Sequence, residues 1–200
     1  RAFRMKKPEV EGFPSFKYTL IKTERLVLRA SRKTDFKKWC EVRARNESYL
    51  KPFEPEWSDN WNTRRVFSRR VSRQEKEWLN GLAYSYLVFE RGSQDIIGGM
   101  NVNAVNRGAA QFASLGYWIS EDKQGQGLMS EAMTGIIFFC FYILNLDRLN
   151  AATLEKNEKS IRLLKSKGFE EEGFARKYIE IEGRRQDHLL FGLNKTGSST

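Results

Sequence analysis

Chemistry has a place to start at residues 115–133, LGYWISEDKQGQGLMSEAM, where an aromatic stretch runs through a two-glycine turn into an apolar-periodic segment. Leu115 to Ile119 is short and β-favouring, which predicts a buried strand. Gln124 to Gly127 is a turn. Leu128, Met129, Ala132, Met133, Ile136 and Ile137 then fall at helical spacing. A strand passing through such a turn into a helix points several free N–H groups one way, with the positive end of the helix dipole behind them. That arrangement binds phosphate. Gly125 and Gly127 lack a Cβ, so an anion can approach the backbone closely. An ordinary tight strand-to-helix turn meets the same description. Two named phosphate motifs do not fit: no Gly-Lys-Ser/Thr follows, as a P-loop demands, and the third glycine of GxGxxG is absent.

Other reactive residues are few. Asn157 and Ser160 stand at the start of a predicted helix, where such groups cap the helix or face an anion. Glu54 and Glu56 interleave with aromatics in NESYLKPFEPEW, residues 46–57; Pro52 and Pro55 break any helix there, and such a loop plugs the core edge or lines a site. The one histidine, His188, excludes a His-rich metal site, so no metal is expected. It leaves a single candidate for a Ser-His-Asp triad, with no nucleophile-elbow motif beside it. Cys40 and Cys140 are far apart with no CxxC, which fits a reducing compartment. Cys140 reads as a small buried hydrophobe rather than a nucleophile.

The elements that must position these residues follow from pattern. Residues 1–22, with Pro8, Gly12 and Pro14, read as an extended arm, and residues before Met5 as a trimmed or added end. Thr23–Ala30 is a half-buried strand. Thr34 caps a helix running to about Asn46, with Phe36, Trp39, Cys40 and Val42 inward. Asn62–Asn80 is an amphipathic helix: Phe67, Val71 and Trp78 on one side, Arg65, Arg69, Arg73 and Lys76 on the other. Tyr84–Glu90 and Ile96–Val105 form a hairpin in which Gly98 and Gly99 predict a bulge or a close backbone approach. After the strand ending at Ile119 and a helix over 128–142 come a strand over 149–154, a helix over 158–167 capped by Asn157 and ended by Gly168, and two strands, 169–181 and 185–193. Residues 194–200 read as a polar tail. The order is that of an α/β or α+β domain with a mixed sheet.

Two hundred residues, 40% hydrophobic with five Trp and fourteen Phe, fill one sizeable core. No apolar run reaches the roughly 18–20 residues that span a membrane, and no signal-peptide pattern opens the sequence. The net charge of +10 is uneven: residues 1–80 hold 21 Lys/Arg against 11 Asp/Glu, and residues 81–200 hold 14 of each. The basic field of the first part favours anionic partners. The basic face of residues 64–76 is a solvated surface or a ribosome- or RNA-facing one, although no RNA-binding motif accompanies it.

The run Gln124-Gly125-Gln126-Gly127-Leu128-Met129 resembles the acetyl-CoA pyrophosphate loop of the GNAT superfamily, Gln/Arg-x-x-Gly-x-Gly/Ala. Met129 departs from the small sixth residue in the way of the RimJ/RimL group, the ribosomal-protein N-terminal acetyltransferases. TERL-x-LR at residue 23, the Leu50–Pro55 run and NEKS at 157–160 resemble the same group, over about residues 23–193. The resemblance implies an acetyltransferase domain over 23–193 with a mixed, mostly antiparallel sheet flanked by helices, splayed beside the bulge, with acetyl-CoA in the splay. It implies cofactor contacts from Trp118, Ile119, Gln124, Gly125, Gln126, Gly127, Leu128, Met129, Asn157 and Ser160, with the Ser160 hydroxyl protonating the leaving thiolate. In RimL-type enzymes a glutamate lies on the strand after the NEKS helix. Here that position holds Ile179, and Glu180 points to the opposite face. Glu54, in the proline loop bordering the acceptor groove, becomes the expected base, with Glu56 beside it.

Acetyl transfer to an amine needs a neutral amine, a stabilised oxyanion and a proton for the thiolate. A free α-amine has a pKa near 8, so a water-linked carboxylate suffices. The expectation is a cytoplasmic enzyme using acetyl-CoA as co-substrate to acetylate the N-terminal α-amine of a ribosomal protein beginning with alanine. The rivals are a small-molecule amine acetyltransferase, which an acidic acceptor groove would favour, and a non-catalytic CoA-fold module on RNA or the ribosome.

Overall fold

The computed structural model describes residues 6–197. The expected end before Met5 and the last residues of the tail, 198–200, lie outside them. Among the described residues nine strands make one sheet in the order β1-β2-β3-β4-β5-β6-β7-β9-β8. They are β1 (Glu9–Glu11), β2 (Leu20–Lys22), β3 (Leu26–Arg29), β4 (Tyr84–Glu90), β5 (Ile96–Asn106), β6 (Phe112–Ile119), β7 (Arg148–Thr153), β8 (Glu170–Ile181) and β9 (Arg184–Asn194). Only β6 and β7 pair in parallel. The helices are α1 (Phe36–Arg45), α2 (Glu47–Leu50), α3 (Arg64–Leu79), α4 (Leu128–Phe138) and α5 (Glu158–Ser166). This is the mixed, mostly antiparallel sheet flanked by helices that the pattern and the resemblance imply.

Alternation along β4 divides the core in two. Leu87 and Phe89 face α1 and α3, packing with Trp39, Val42, Phe67 and Val71. Tyr86 and Val88 face the other side, where Met133, Ile136 and Phe139 cover them. Burying each such side chain contributes roughly 1.5–3 kcal/mol. Arg65, Arg69, Arg73 and Lys76 of α3 are all exposed, opposite its buried face.

Several local expectations are corrected. Residues 9–22 are no free arm: β1 and β2 extend the sheet, with Ile21 fully buried. Each is three residues long, too short for alternation to register. Thr34 is exposed, and Asp35 organises the start of α1 instead, accepting from the Arg32 N–H at 2.7 Å and pairing with Arg29 at 2.8 Å. The proline loop holds one turn of helix, α2, which passes into a 3-10 turn over Lys51–Phe53 that contains Pro52. The helix expected to reach 142 ends as α at Phe138 and widens into a π turn over Phe139–Ile143.

The glycine pair in β5 has both expected features. Val88 pairs with Gly98 but Phe89 with Ile96, which makes Ile97 the extra residue of a bulge. A Cβ on Gly98 would stand 2.4 Å from the Trp118 carbonyl oxygen, and one on Gly99 2.4 Å from Trp118 Nε1. That intimate fit keeps β5 and β6 paired to Ile119. The splay therefore opens on the far side of β6 rather than beside the bulge. Only Phe112–Leu115 pairs with β7, at Arg148–Ala151, and beyond Leu115 the two strands part.

Candidate functional site

A cleft of about 1270 Å³ occupies the splay, lined from β6, β7, β8, β9, the glycine turn, α5 and the proline turn. That exceeds a typical small-ligand pocket of roughly 300–1,000 Å³ and suits two substrates meeting.

One wall carries the glycine turn. Gly125 and Gly127 both take left-handed φ, +69° and +73°, and a Cβ on Gly125 would meet open space. Gly127 is the N-cap of α4, so the N–H groups of the first turn have no intrahelical partner and remain available. These features fit a pyrophosphate. The turn is pinned from beneath. Glu131, 7% exposed, accepts from Thr23 Oγ1 at 2.6 Å and from the Arg25 backbone N–H and Nε, each at 2.7 Å. Burial alone would raise the Glu131 carboxyl, but these donors overcome it and hold it below its ordinary value. Arg25 then donates through Nη1 to the Gln126 carbonyl at 2.9 Å.

Most residues implied by the resemblance meet on this cleft: Trp118, Ile119, Gln124, Gly125, Gly127, Leu128, Met129, Asn157 and Ser160 line it, and so does Glu54. Gln126 does not. Its carbonyl binds Arg25, and its side chain turns back to the Asp122 carbonyl at 3.1 Å. The Gln124 amide nitrogen donates to Tyr49, and its oxygen accepts from Lys159 Nζ at 2.5 Å, which ties the turn to α2 and α5. Asn157 caps α5, its Oδ1 accepting from the Ser160 N–H at 3.2 Å.

Ser160 Oγ lies 2.5 Å from the Tyr117 hydroxyl. Burial pushes the Tyr117 phenol up to about 12, against the opposing pull of the Ser160 hydrogen bond. The phenol therefore stays protonated near neutrality, and when it donates to Ser160 the serine hydrogen is free to point into the cleft. Sequence reading assigned Tyr117 no task. Nothing local links it to a serine 43 residues away.

The opposite wall is the proline turn against the β8–β9 hairpin. Glu54 lines the cleft, but not as a free base. Arg43 grips both its oxygens, at 2.8 Å on Oε1, and Trp57 Nε1 donates to Oε2 at 2.8 Å. Both oxygens of Glu54 are thus engaged, and the side chain anchors the turn. The Arg43 guanidinium stacks 4.3 Å from the Trp57 ring centroid and 5.0 Å from that of Trp118, which fastens the turn to β6. The Glu182 N–H donates to the Glu54 carbonyl at 3.0 Å, and Glu180 Oε1 accepts from the Glu56 and Gly183 N–H groups at 3.0 and 2.7 Å. Glu56 and Glu180 are thus latches outside the cleft. Ile179 faces it with no carboxylate. Among the described residues no cluster of His, Cys, Asp and Glu could hold a metal, and no helix is long and apolar enough to cross a membrane.

Comparison with known proteins gives one family. A model described as "Acetyltransferase (GNAT) domain" matches residues 25–170. The [ribosomal protein uS5]-alanine N-acetyltransferase of Escherichia coli (strain K12) is 32% identical over 173 residues, covering 86% of this chain and 89% of that protein. The crystal structure of ribosomal-protein-S5-alanine acetyltransferase from Vibrio fischeri superposes with a TM-score of 0.83 at 28% identity, covering 90% of this chain and 99% of that one. Mycobacterium smegmatis RimJ in complex with CoA-disulfide shares the fold, with a TM-score of 0.82 at 24% identity over 98% of this chain and 89% of that one.

Proposed function

The chain belongs to the GNAT acetyltransferases and is an acetyl-CoA-dependent N-acetyltransferase, and from that premise we propose that it acetylates the N-terminal α-amine of a protein, a ribosomal protein beginning with alanine. The observation that carries the acceptor class is the charge state of the cleft. Its lining carboxylates, Glu54 and Glu172, are each engaged by an arginine, Arg43 and Arg148. A groove for polyamines or aminoglycosides needs free anionic groups to hold several cationic ones, and this groove offers none. An α-amine enters as one charge of moderate pKa on an otherwise neutral backbone. The relatives in E. coli and V. fischeri, named for alanine acceptors, support the finer choice.

Acetyl-CoA supplies an acetyl group activated as a thioester. The glycine turn and the start of α4 hold its phosphates through backbone N–H groups and the helix dipole. The edge of Gly116–Ile119 that β7 leaves unpaired holds its arm along β6, with an N–H near Trp118 or Ile119 toward the acetyl oxygen. Ser160 donates its hydroxyl proton to the departing sulfur, and Tyr117 holds the serine oxygen in place. The exposed basic face of α3, clear of the cleft, is the surface through which the enzyme would meet a ribosome.

The test is mass spectrometry of ribosomal proteins from a strain lacking the gene. One specific N-terminal alanine should lose its acetyl group. Unchanged N-termini, together with recombinant turnover of spermidine but not of an alanine-ended peptide, would overturn the acceptor assignment.

A further inference from the structure

We propose that His188 is the group that takes the proton from the acceptor amine. The chain's one histidine is 3% exposed and lines the cleft. Its Nδ1 lies 2.9 Å from the Gln186 carbonyl oxygen. A carbonyl oxygen only accepts, so Nδ1 carries the hydrogen, and whenever the ring is neutral its lone pair is on Nε2.

Strand register places this nitrogen on the side where the acceptor arrives. Ser114 pairs with Asn150, Ala152 with Leu190 and Gln186 with Ile179. By alternation Trp118, Ala152, Leu190, His188 and Ile179 therefore share one face of the sheet. It is the face of the proline turn, since Trp118 meets Arg43 there. Tyr117 lies on the other face with Ser160. The two proton transfers of the reaction thus have donors and acceptors on opposite faces of the splay. His188 sits one strand over from Ile179, the position where RimL-type enzymes carry a glutamate.

Elimination leads to the same residue. The carboxylate and imidazole side chains on the lining are Glu54, Glu172 and His188. Arginines hold the two carboxylates. The other groups around the imidazole are accounted for as well. The Tyr178 ring of β8 packs edge-on at 6.1 Å between centroids. Asp187, on the opposite face of β9, accepts from the Lys177 N–H at 2.8 Å.

The step balances. The ammonium of the acceptor first yields one proton to Nε2, which passes it to solvent; the neutral nitrogen then bonds to the acetyl carbon and loses its second proton to Nε2, the carbon–sulfur bond breaks, and the sulfur gains one proton from Ser160. The imidazolium proton returns to the serine through solvent.

The inference rests on the acceptor being an amine bound on this face, so the experiment uses whichever amine the wild type acetylates, tried first on an alanine-ended peptide and then on spermidine. Failure of the peptide alone would count against the proposed acceptor and not against His188. H188Q should lower kcat/KM about 10²-fold at pH 7, and the deficit should shrink above pH ~8, where the α-amine is neutral unaided. Affinity for acetyl-CoA should not move. Parallel pH profiles with a loss below about threefold would overturn the proposal. A second measurement needs neither turnover nor the variant. In untagged wild-type protein His188 gives the one imidazole signal set in a long-range ¹H–¹⁵N spectrum. In the neutral ring a hydrogen on Nδ1 and a bare Nε2 are expected, and a neutral ring with its hydrogen on Nε2 would overturn the assignment.

Discussion

On the glycine-turn wall, β6, the turn and α4 follow one another within about thirty residues, and the pins beneath tie Thr23 and Arg25 to Glu131 from more than a hundred residues away. On the proline-turn wall the grip on Glu54 comes from nearby chain, Arg43 and Trp57, and the closure onto the hairpin joins distant chain. Glu180 reaches Glu56 across 124 residues, the Glu182 N–H meets the Glu54 carbonyl, and Arg43 bridges α1 to the turn and to Trp118. The first wall is a local motif whose chemistry is one backbone shape. The second is an assembly whose shape depends on several separately variable segments. A chain built this way can change its acceptor by altering loops and hairpin while its grip on acetyl-CoA stays put.

The comparison breaks most decisively at Gly127. G127V puts a branched Cβ at φ +73° and in the path of the phosphates. Acetyl-CoA affinity should fall about 10²-fold or more, since strain of this kind costs about 1–3 kcal/mol before any clash. Calorimetry showing unchanged affinity would remove the turn from the cofactor site.

S160A should lower kcat about 10²-fold with little change in KM for acetyl-CoA, because protonation of the sulfur counts only as the bond breaks. Y117F, which removes the positioning partner, should cost about tenfold by the same reasoning. A loss below about threefold for S160A would make the serine structural.

E54Q addresses the other wall. It keeps the shape but weakens the grip of Arg43, whose guanidinium is nearly buried. KM for the acceptor should rise a few-fold and the melting temperature fall, with acetyl-CoA affinity unchanged. Should kcat instead collapse below pH 8 with KM intact, Glu54 would be the base and the anchoring role would be wrong.

E131Q should destabilise by about 1–2 kcal/mol at pH 7, the worth of hydrogen bonds to a charged group. Its sign follows from the depressed carboxyl. The contribution is full above the ordinary value of about 4.3 and vanishes as pH falls through the lower folded-state value. Denaturant melts of wild type and variant should therefore converge in acid; a constant gap down to pH 3 would contradict the ion-pair account.

R69E/R73E should have the smallest effect, within about 0.5 kcal/mol in stability and nil on peptide turnover, since the face is exposed and away from the cleft. If α3 docks on ribosomes, wild-type co-sedimentation should weaken with salt and the variant should lose it. Equal co-sedimentation of both proteins would sink the docking idea alone.

By itself the sequence determined whatever is encoded within one element or one turn. The strand before the glycines, the αL glycines, the Asn157 cap, the two-sided α3 and the bulge at Gly98 are all written in residues a few positions apart, because periodicity and backbone sterics act at that range. Tertiary structure decided what depends on pairing. Where β6 parts from β7, after Leu115, belongs to the pairing of those two strands, so the splay lies a strand away from the bulge. Which carboxylate is free is set by where Arg43 and Arg148 land, and that turns Glu54 from an expected base into an anchor. Which buried hydroxyl meets Ser160, and which face His188 shares, are fixed by strand register. A single strand carries no register until its partner is in place.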